Sequence, residues 1–237
     1  MKILKLYILP LLFTISLSSA SAGVVMLDFN GTGGDAGPTA SATDISTDGG
    51  FTIDSVIANT GSDIASLSVG TETLSISFSG VTAGRDRGTD KFTDSTTGDV
   101  LTPYFRDMIF NSGGTLGITV SGLTIGNQYQ FYFHAVDADF TRTIPVTSLG
   151  NSGAPLSVGT VSYTISPKPE LSSFSDYQVN TGLYTATGAS ETFSITGGTS
   201  NVNALAAMTI VTIPEPSSMV LVGIAASGLI FLRRRRR

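Results

Sequence analysis

One imidazole, no thiol and 18 carboxylates bound the chemistry open to this chain of 237 residues. Hydrolysis by an activated serine needs a base beside the nucleophile, and His134 sits in an aromatic stretch, residues 128–136, with no nucleophile-elbow pattern ahead of it. His134 therefore reads as a structural residue on a half-buried strand face. One His without Cys does not supply a nitrogen and sulfur shell for zinc, and no glycine-rich loop matches a phosphate-binding pattern. Carboxylates are more plentiful: Asp86, Asp90, Asp94 and Asp99 crowd one segment, Asp35 follows a glycine-rich turn, and Asp137 and Asp139 come just after the aromatic stretch. Calcium takes six to eight oxygens, and exported β-sandwiches hold it in such loops. None of these aspartates has the twelve-residue loop spacing, so Asp137 and Asp139 are candidate calcium ligands with solvated loop charge as the competing reading. Tyr104, Tyr129, Tyr132, Tyr163, Tyr177 and Tyr184 offer stacking faces to a sugar, but the chain has no Trp, and sheet packing is the plainer role for each. No catalytic residue and no resident metal is expected; calcium is the one cofactor left open.

The elements around these residues read as strands. The interior is rich in Ser, Thr and Gly, with short apolar segments cut by turn residues. Residues 24–29 open as a strand and end at Asn30-Gly31. Residues 73–79 alternate Leu74, Ile76 and Phe78 against Thr73, Ser75 and Ser77, and Leu116, Ile118 and Val120 repeat the pattern. Residues 128–136 carry aromatics on both faces, which predicts a central strand. Further strands are expected near 144–149, 160–165, 191–196 and 205–213. One short helical turn is expected after Pro103, and residues 28–63 and 83–99 read as long surface loops. So many strands in one open sheet would leave edges prone to aggregation, so the expectation is an all-β, jelly-roll-like antiparallel β-sandwich.

The two ends are different in kind. Lys2 and Lys5 precede an apolar stretch over residues 6–17, and Ala20-Ser21-Ala22 has the small residues that signal peptidase requires, so cleavage is expected between Ala22 and Gly23. At the other end come Pro214-Glu215-Pro216-Ser217-Ser218, an apolar run over 219–232, and Arg233, Arg234, Arg235, Arg236 and Arg237. The two prolines hold the first part extended and open to a protease cleft. The apolar run is about 21 Å long as a helix against a hydrocarbon core of about 30 Å, short for a span unless the arginines snorkel and the bilayer thins. Five arginines favour the cytoplasmic side, which puts the remainder outside. Three parts follow: 1–22 a signal peptide, 23–213 the sandwich, and 214–237 a motif, a short transmembrane helix and an Arg cluster. The two flanking segments are expected to be a signal helix and a single membrane-anchor helix.

Without those ends the body holds six basic and 17 acidic residues, a formal charge of 6 − 17 = −11. That balance argues against nucleic acid or an anionic membrane surface as a partner. Export permits disulfides, but the chain contains no cysteine, so stability comes from an ordinary core, which about 190 residues can build as one domain.

The order of motif, apolar run and arginines resembles the PEP-CTERM sorting signal of Gram-negative bacteria, whose membrane-embedded partner is exosortase. The resemblance implies that Pro214, Glu215, Pro216 and Ser217 form the recognised motif and that Arg233 to Arg237 are the retention charge. It implies signal peptidase, exosortase and, transiently, the inner membrane as partners, and an exported chain that ends at the cell surface or outside the cell. A plain tail anchor, with Pro-Glu-Pro as an ordinary linker, is the competing reading. Residues 116–131 contain Gly122-Leu123-Thr124 followed by Gly126 and Tyr129, similar to a "GLT-x-G-x-x-Y" strand, turn and strand of exported bacterial sandwich domains. Arg142-Thr143 follows as it does in many PEP-CTERM proteins, and galactose-binding-like sandwiches are the folds it most resembles. Together these imply a non-catalytic surface or matrix protein. The alternatives are a carbohydrate-binding module acting on exopolysaccharide and an exported hydrolase.

Overall fold

Alternation of apolar and polar residues decides most of this chain, and strands dominate the computed structural model. It describes residues 22–29, 53–86, 92–94, 101–135, 141–150, 158–163, 168, 170–173, 175–196 and 202–213. In chain order these hold β1 (Gly23–Phe29), β2 (Ser55–Asn59), β3 (Ile64–Val69), β4 (Glu72–Ser79), β5 (Ala83–Asp86), β6 (Thr93–Asp94), the single turn α1 (Thr102–Phe105), β7 (Asp107–Ser112), β8 (Leu116–Ser121) and β9 (Gln128–His134). They continue with β10 (Arg142–Ser148), β11 (Gly159–Tyr163), β12 (Glu170–Leu171), β13 (Gln178–Asn180), β14 (Tyr184–Thr185), β15 (Ser190–Ile195), β16 (Val202–Leu205) and β17 (Ala207–Ile213). Residues Ser21–Glu215 form one compact unit.

Two six-stranded sheets make the sandwich. The first runs β13-β9-β17-β1-β2, with β14 also paired to β9; the second runs β11-β10-β15-β8-β4-β3. The chain passes between them at β2 to β3, β8 to β9, β9 to β10 and β14 to β15, whereas β1 and β2, β3 and β4, and β10 and β11 are neighbours within one sheet. Register explains the interlock. Val25, Ile210 and Phe131 line up across the first sheet, as do Leu27, Met208 and Phe133. This inner face meets Phe193 of β15, whose ring centroid is 4.8 Å from both Phe131 and Phe133. Phe29 meets Phe78 of β4 edge-on at 5.6 Å. At one end Gly23 and Gly70 approach so closely that a Cβ on Gly23 would stand 2.1 Å from the Gly70 nitrogen, which only glycine permits.

The expectation of an all-β sandwich holds, and most expected strands are found within two residues of their predicted ends. The departures have physical reasons. The stretch read as a loop over 28–63 contains β2, which pairs parallel to β1, and the stretch 83–99 contains β5 and β6. β6 also pairs parallel, with β12, so the sheets are antiparallel with two parallel exceptions. β2, Ser55-Val56-Ile57-Ala58-Asn59, is a partly exposed edge strand whose short apolar run shows no strict alternation. The strand expected over 205–213 is broken at Ala206, whose carbonyl accepts from Phe29 N–H at 3.0 Å and whose N–H donates to His134 O at 2.8 Å. Beyond that break β16 joins β7 and β5 in a separate three-stranded sheet. Among the described residues no helix is long and apolar enough to cross a membrane. The expected signal and anchor helices fall outside the described residues.

Candidate functional site

The corner between β8 and β9 is built from turn chemistry. Gly122 and Gly126 adopt φ of +88° and +97°, and a Cβ on Gly122 would sit 2.7 Å from the Thr73 carbonyl oxygen. Tyr129 folds back so that its hydroxyl accepts from Thr124 N–H at 2.8 Å. The Glu72 carboxylate accepts from the Thr124 hydroxyl at 2.8 Å and from the Asn127 amide. The passage read as a hairpin is thus a corner joining the two sheets, because β8 and β9 belong to different layers. Its tip carries Ile125, 66% exposed.

The outer face of the first sheet is buried too, but it is polar. Register sets Asp28 of β1, Ala207 of β17, His134 of β9 and Gln178 of β13 in one row, with Met26, Thr209 and Tyr132 in the next. Asp28, His134, Tyr132 and Thr209 are each no more than 1% exposed. Phe105 of α1 covers His134 edge-on at 5.5 Å, and the Gln178 amide lies 3.2 Å from its Nε2. Burial lowers the His134 pKa to about 3, against a smaller opposing pull from a backbone hydrogen bond of Asp176, so the ring is neutral. Burial raises Asp28 to about 7; the charge of Asp107 pushes the same way and Arg106 opposes. Asp28 Oδ1 has no hydrogen-bond partner among the described residues, which suits a carboxyl that keeps its proton near neutrality. Arg106 lies 3.4 Å from Asp86 and 3.9 Å from the buried Asp107. Asp28, Asp107, Arg106 and His134 therefore form a polar layer sealed between the sheet and α1. Its carboxyls are chemically able to exchange a proton, but at 1% and 0% exposure Asp28 and Asp107 are out of a substrate's reach in this conformation.

From the first sheet the chain continues straight into its last segment. β17 pairs Thr212 with Gly23 of β1 and Ile213 with Gln128 of β9, so the strand ends at one rim of the sandwich. Residues 212–237 match the PEP-CTERM protein-sorting motif. Such a motif implies an exported protein with exosortase as its processing partner. The sorting segment begins inside β17, with no separate stalk between sandwich and motif. No curated protein matches the chain. The enzymatically active domain of tailspike protein 4 from bacteriophage CBA120 is similar at 16% identity and a TM-score of 0.26, over 57% of this chain and 19% of that one.

The sequence-predicted residues fall into three groups. Pro214, Glu215, Pro216, Ser217, the five arginines, Ala20, Asp137 and Asp139 lie outside the described residues, as do Asp35, Asp90 and Asp99. Ala22 and Gly23 are described, and Gly23 is a buried residue at the start of β1. The remaining candidates have structural work. Asp94 accepts from Leu101 N–H, Thr102 N–H and the Thr102 hydroxyl at 2.8–3.2 Å, steadying the start of α1. Tyr104, Tyr129 and Tyr132 are core residues, at most 1% exposed. His134, read as half-buried, is wholly buried, because the outer face of its sheet is covered and not wet. Among the described residues no group of three or more His, Asp or Glu is placed to hold a metal. Sequence reasoning missed Asp28 and Asp107. The available signal was an acid inside the otherwise apolar run Val24-Val25-Met26-Leu27-Asp28-Phe29, since a strand buried on both faces reads as continuous hydrophobicity.

Proposed function

We propose that this chain is a non-catalytic protein of the cell surface or extracellular matrix, delivered as cargo of exosortase and active there as a stable acidic sandwich. The observation that carries the reading is the PEP-CTERM motif over 212–237 running directly out of the strand that closes the sheet. In this reading signal peptidase cuts between Ala22 and Gly23, the apolar run 219–232 holds the chain in the inner membrane, and Arg233 to Arg237 keep its end in the cytoplasm. Exosortase then recognises Pro214, Glu215, Pro216 and Ser217 and releases the body. A non-catalytic role is supported by the single imidazole being neutral and sealed, and by Asp28 and Asp107 being buried. The burial of Tyr104, Tyr129 and Tyr132 removes half of the candidate sugar-stacking faces.

The test is the mass of the mature protein recovered from a host with exosortase. A chain beginning at Gly23 and ending within 213–217 is expected, and Glu215→Ala is expected to leave unprocessed protein in the inner membrane. A mature chain retaining the arginines rejects the sorting role in favour of a plain anchor, and normal maturation of that variant rejects Glu215 as a recognised residue.

A further inference from the structure

Three large aliphatic side chains stand exposed among the described residues: Ile125, Leu149 and Leu183, at 66%, 60% and 49%. All three lie at one end of the sandwich. Gly126 N–H donates to Ala186 O and Ala186 N–H to Asn127 O, both at 2.9 Å, so the Ile125 turn runs beside the segment that carries Leu183. Leu149 ends β10 at the same end, its N–H on Thr192 O at 2.8 Å. The loops that present them, residues 122–127, 148–150 and 181–189, contain no Asp, Glu, Lys or Arg, in a body of six basic and 17 acidic residues. Both ends of the body leave here as well: Gly23 pairs with Thr212, and Ile213 pairs with Gln128, three residues from Ile125.

Only residues 214–218 separate Ile213 from the apolar run. Five residues reach at most about 17 Å, and the headgroup layer takes up about 6 Å of that. This end of the body is therefore held within about 11 Å of the lipid headgroups for as long as the chain is uncut. An acidic surface is repelled by anionic lipid, whereas uncharged loops tipped with Ile and Leu are accepted at the interface. The geometry points to this rim, with Ile125 and Leu183 at its centre, as a docking face for the lipid bilayer surface, occupied while the chain is tethered. The inference rests on the anchored reading of residues 219–232. Two or three aliphatic side chains bind a surface weakly on their own, and the tether supplies the high local concentration that makes them count. Cutting at the motif removes that contribution, so docking ends when processing does.

The chain contains no cysteine, so single-cysteine labelling is clean. Ile125→Cys, Leu183→Cys and, at the far end ahead of β8, the exposed Thr115→Cys carry a fluorophore in the full chain, reconstituted into phosphatidylethanolamine and phosphatidylglycerol vesicles with headgroup-proximal spin-labelled lipid. The labels at 125 and 183 are expected to lose emission while the label at 115 keeps it. Equal quenching at all three sites in chains that float with the vesicles overturns the docking face and leaves the anchor standing. A chain that fails to float overturns both. Protection of 125 and 183 that needs added exosortase assigns the rim to a protein contact and overturns the lipid one.

Discussion

The two faces of the sheet β13-β9-β17-β1-β2 are both buried around His134 but differ in chemistry. Its inner face is hydrocarbon and aromatic rings locked on Phe193. Its outer face buries Asp28, His134, Tyr132 and Thr209 beneath α1. Burial alone is thus no guide to how a region contributes. The inner face stabilises by area and packing, whereas the outer face holds ionisable groups whose burial is unfavourable in the charged form.

Phe193→Ala breaks the inner face and should have the largest effect. Removing a ring wedged between Phe131 and Phe133 is expected to cost about 3–5 kcal/mol of unfolding free energy, read by urea denaturation. A loss below about 1 kcal/mol would mean that the two sheets do not interlock at this ring.

The outer face is probed by pH. Asp28 has a folded pKa of about 7 against an ordinary value of 3.8, so the folded state holds the proton more tightly. Its contribution to stability is full below about pH 4 and is lost as pH rises through 7. Asp28→Asn removes that dependence, so its stability relative to the parent should rise between pH 4 and 8 by up to about 4 kcal/mol, at about 1.4 kcal/mol per pKa unit. A constant difference across that range would place the Asp28 carboxyl in water. His134 runs the opposite way: its pKa of about 3 lies below the ordinary value of 6.5, so its contribution is present above 6.5 and is lost as pH falls towards 3. His134→Gln should flatten the acid limb of the stability profile, and an unchanged limb would show that His134 titrates normally. The groups that set these values are Asp107 on β7, Arg106 just after α1 and the backbone of Asp176 just before β13.

The smallest effect is expected at the corner, where the two faces part. Tyr129→Phe keeps the ring stacked on Phe131 but leaves Thr124 N–H without its acceptor. A loss of about 1 kcal/mol is expected by thermal unfolding. No change would show that water replaces the hydroxyl.

Much of the second sheet, which packs on that inner face, was legible beforehand. Leu74, Ile76 and Phe78 against their serines, and Leu116, Ile118 and Val120, have a period of two because one side of their sheet is covered and the other is wet. Aromatics on both sides of β9 announced a central strand, and β9 lies between β13 and β17. The outer face was hidden because its polar residues look like surface residues in a linear chain. His134 was placed on a half-wet face on that ground, and Asp28 was taken for the start of a loop. Short strands such as β6, β12 and β14 escaped for another reason: two residues carry no periodicity.

The sequence by itself determined the address of this protein and its material: a Pro-Glu-Pro tail with a basic end, an acidic body without cysteine, and strands dense enough to require a sandwich. Those properties are local, written in neighbouring residues and in short-period patterns. Only the tertiary structure decided that Asp28 and His134 share a sealed row, that the Tyr129 turn is a corner between sheets, and that Ile125 and Leu183 crown the end from which the tail departs. Each of these depends on pairing between segments distant in the chain, and which strands pair is set by the competition of all of them for one core.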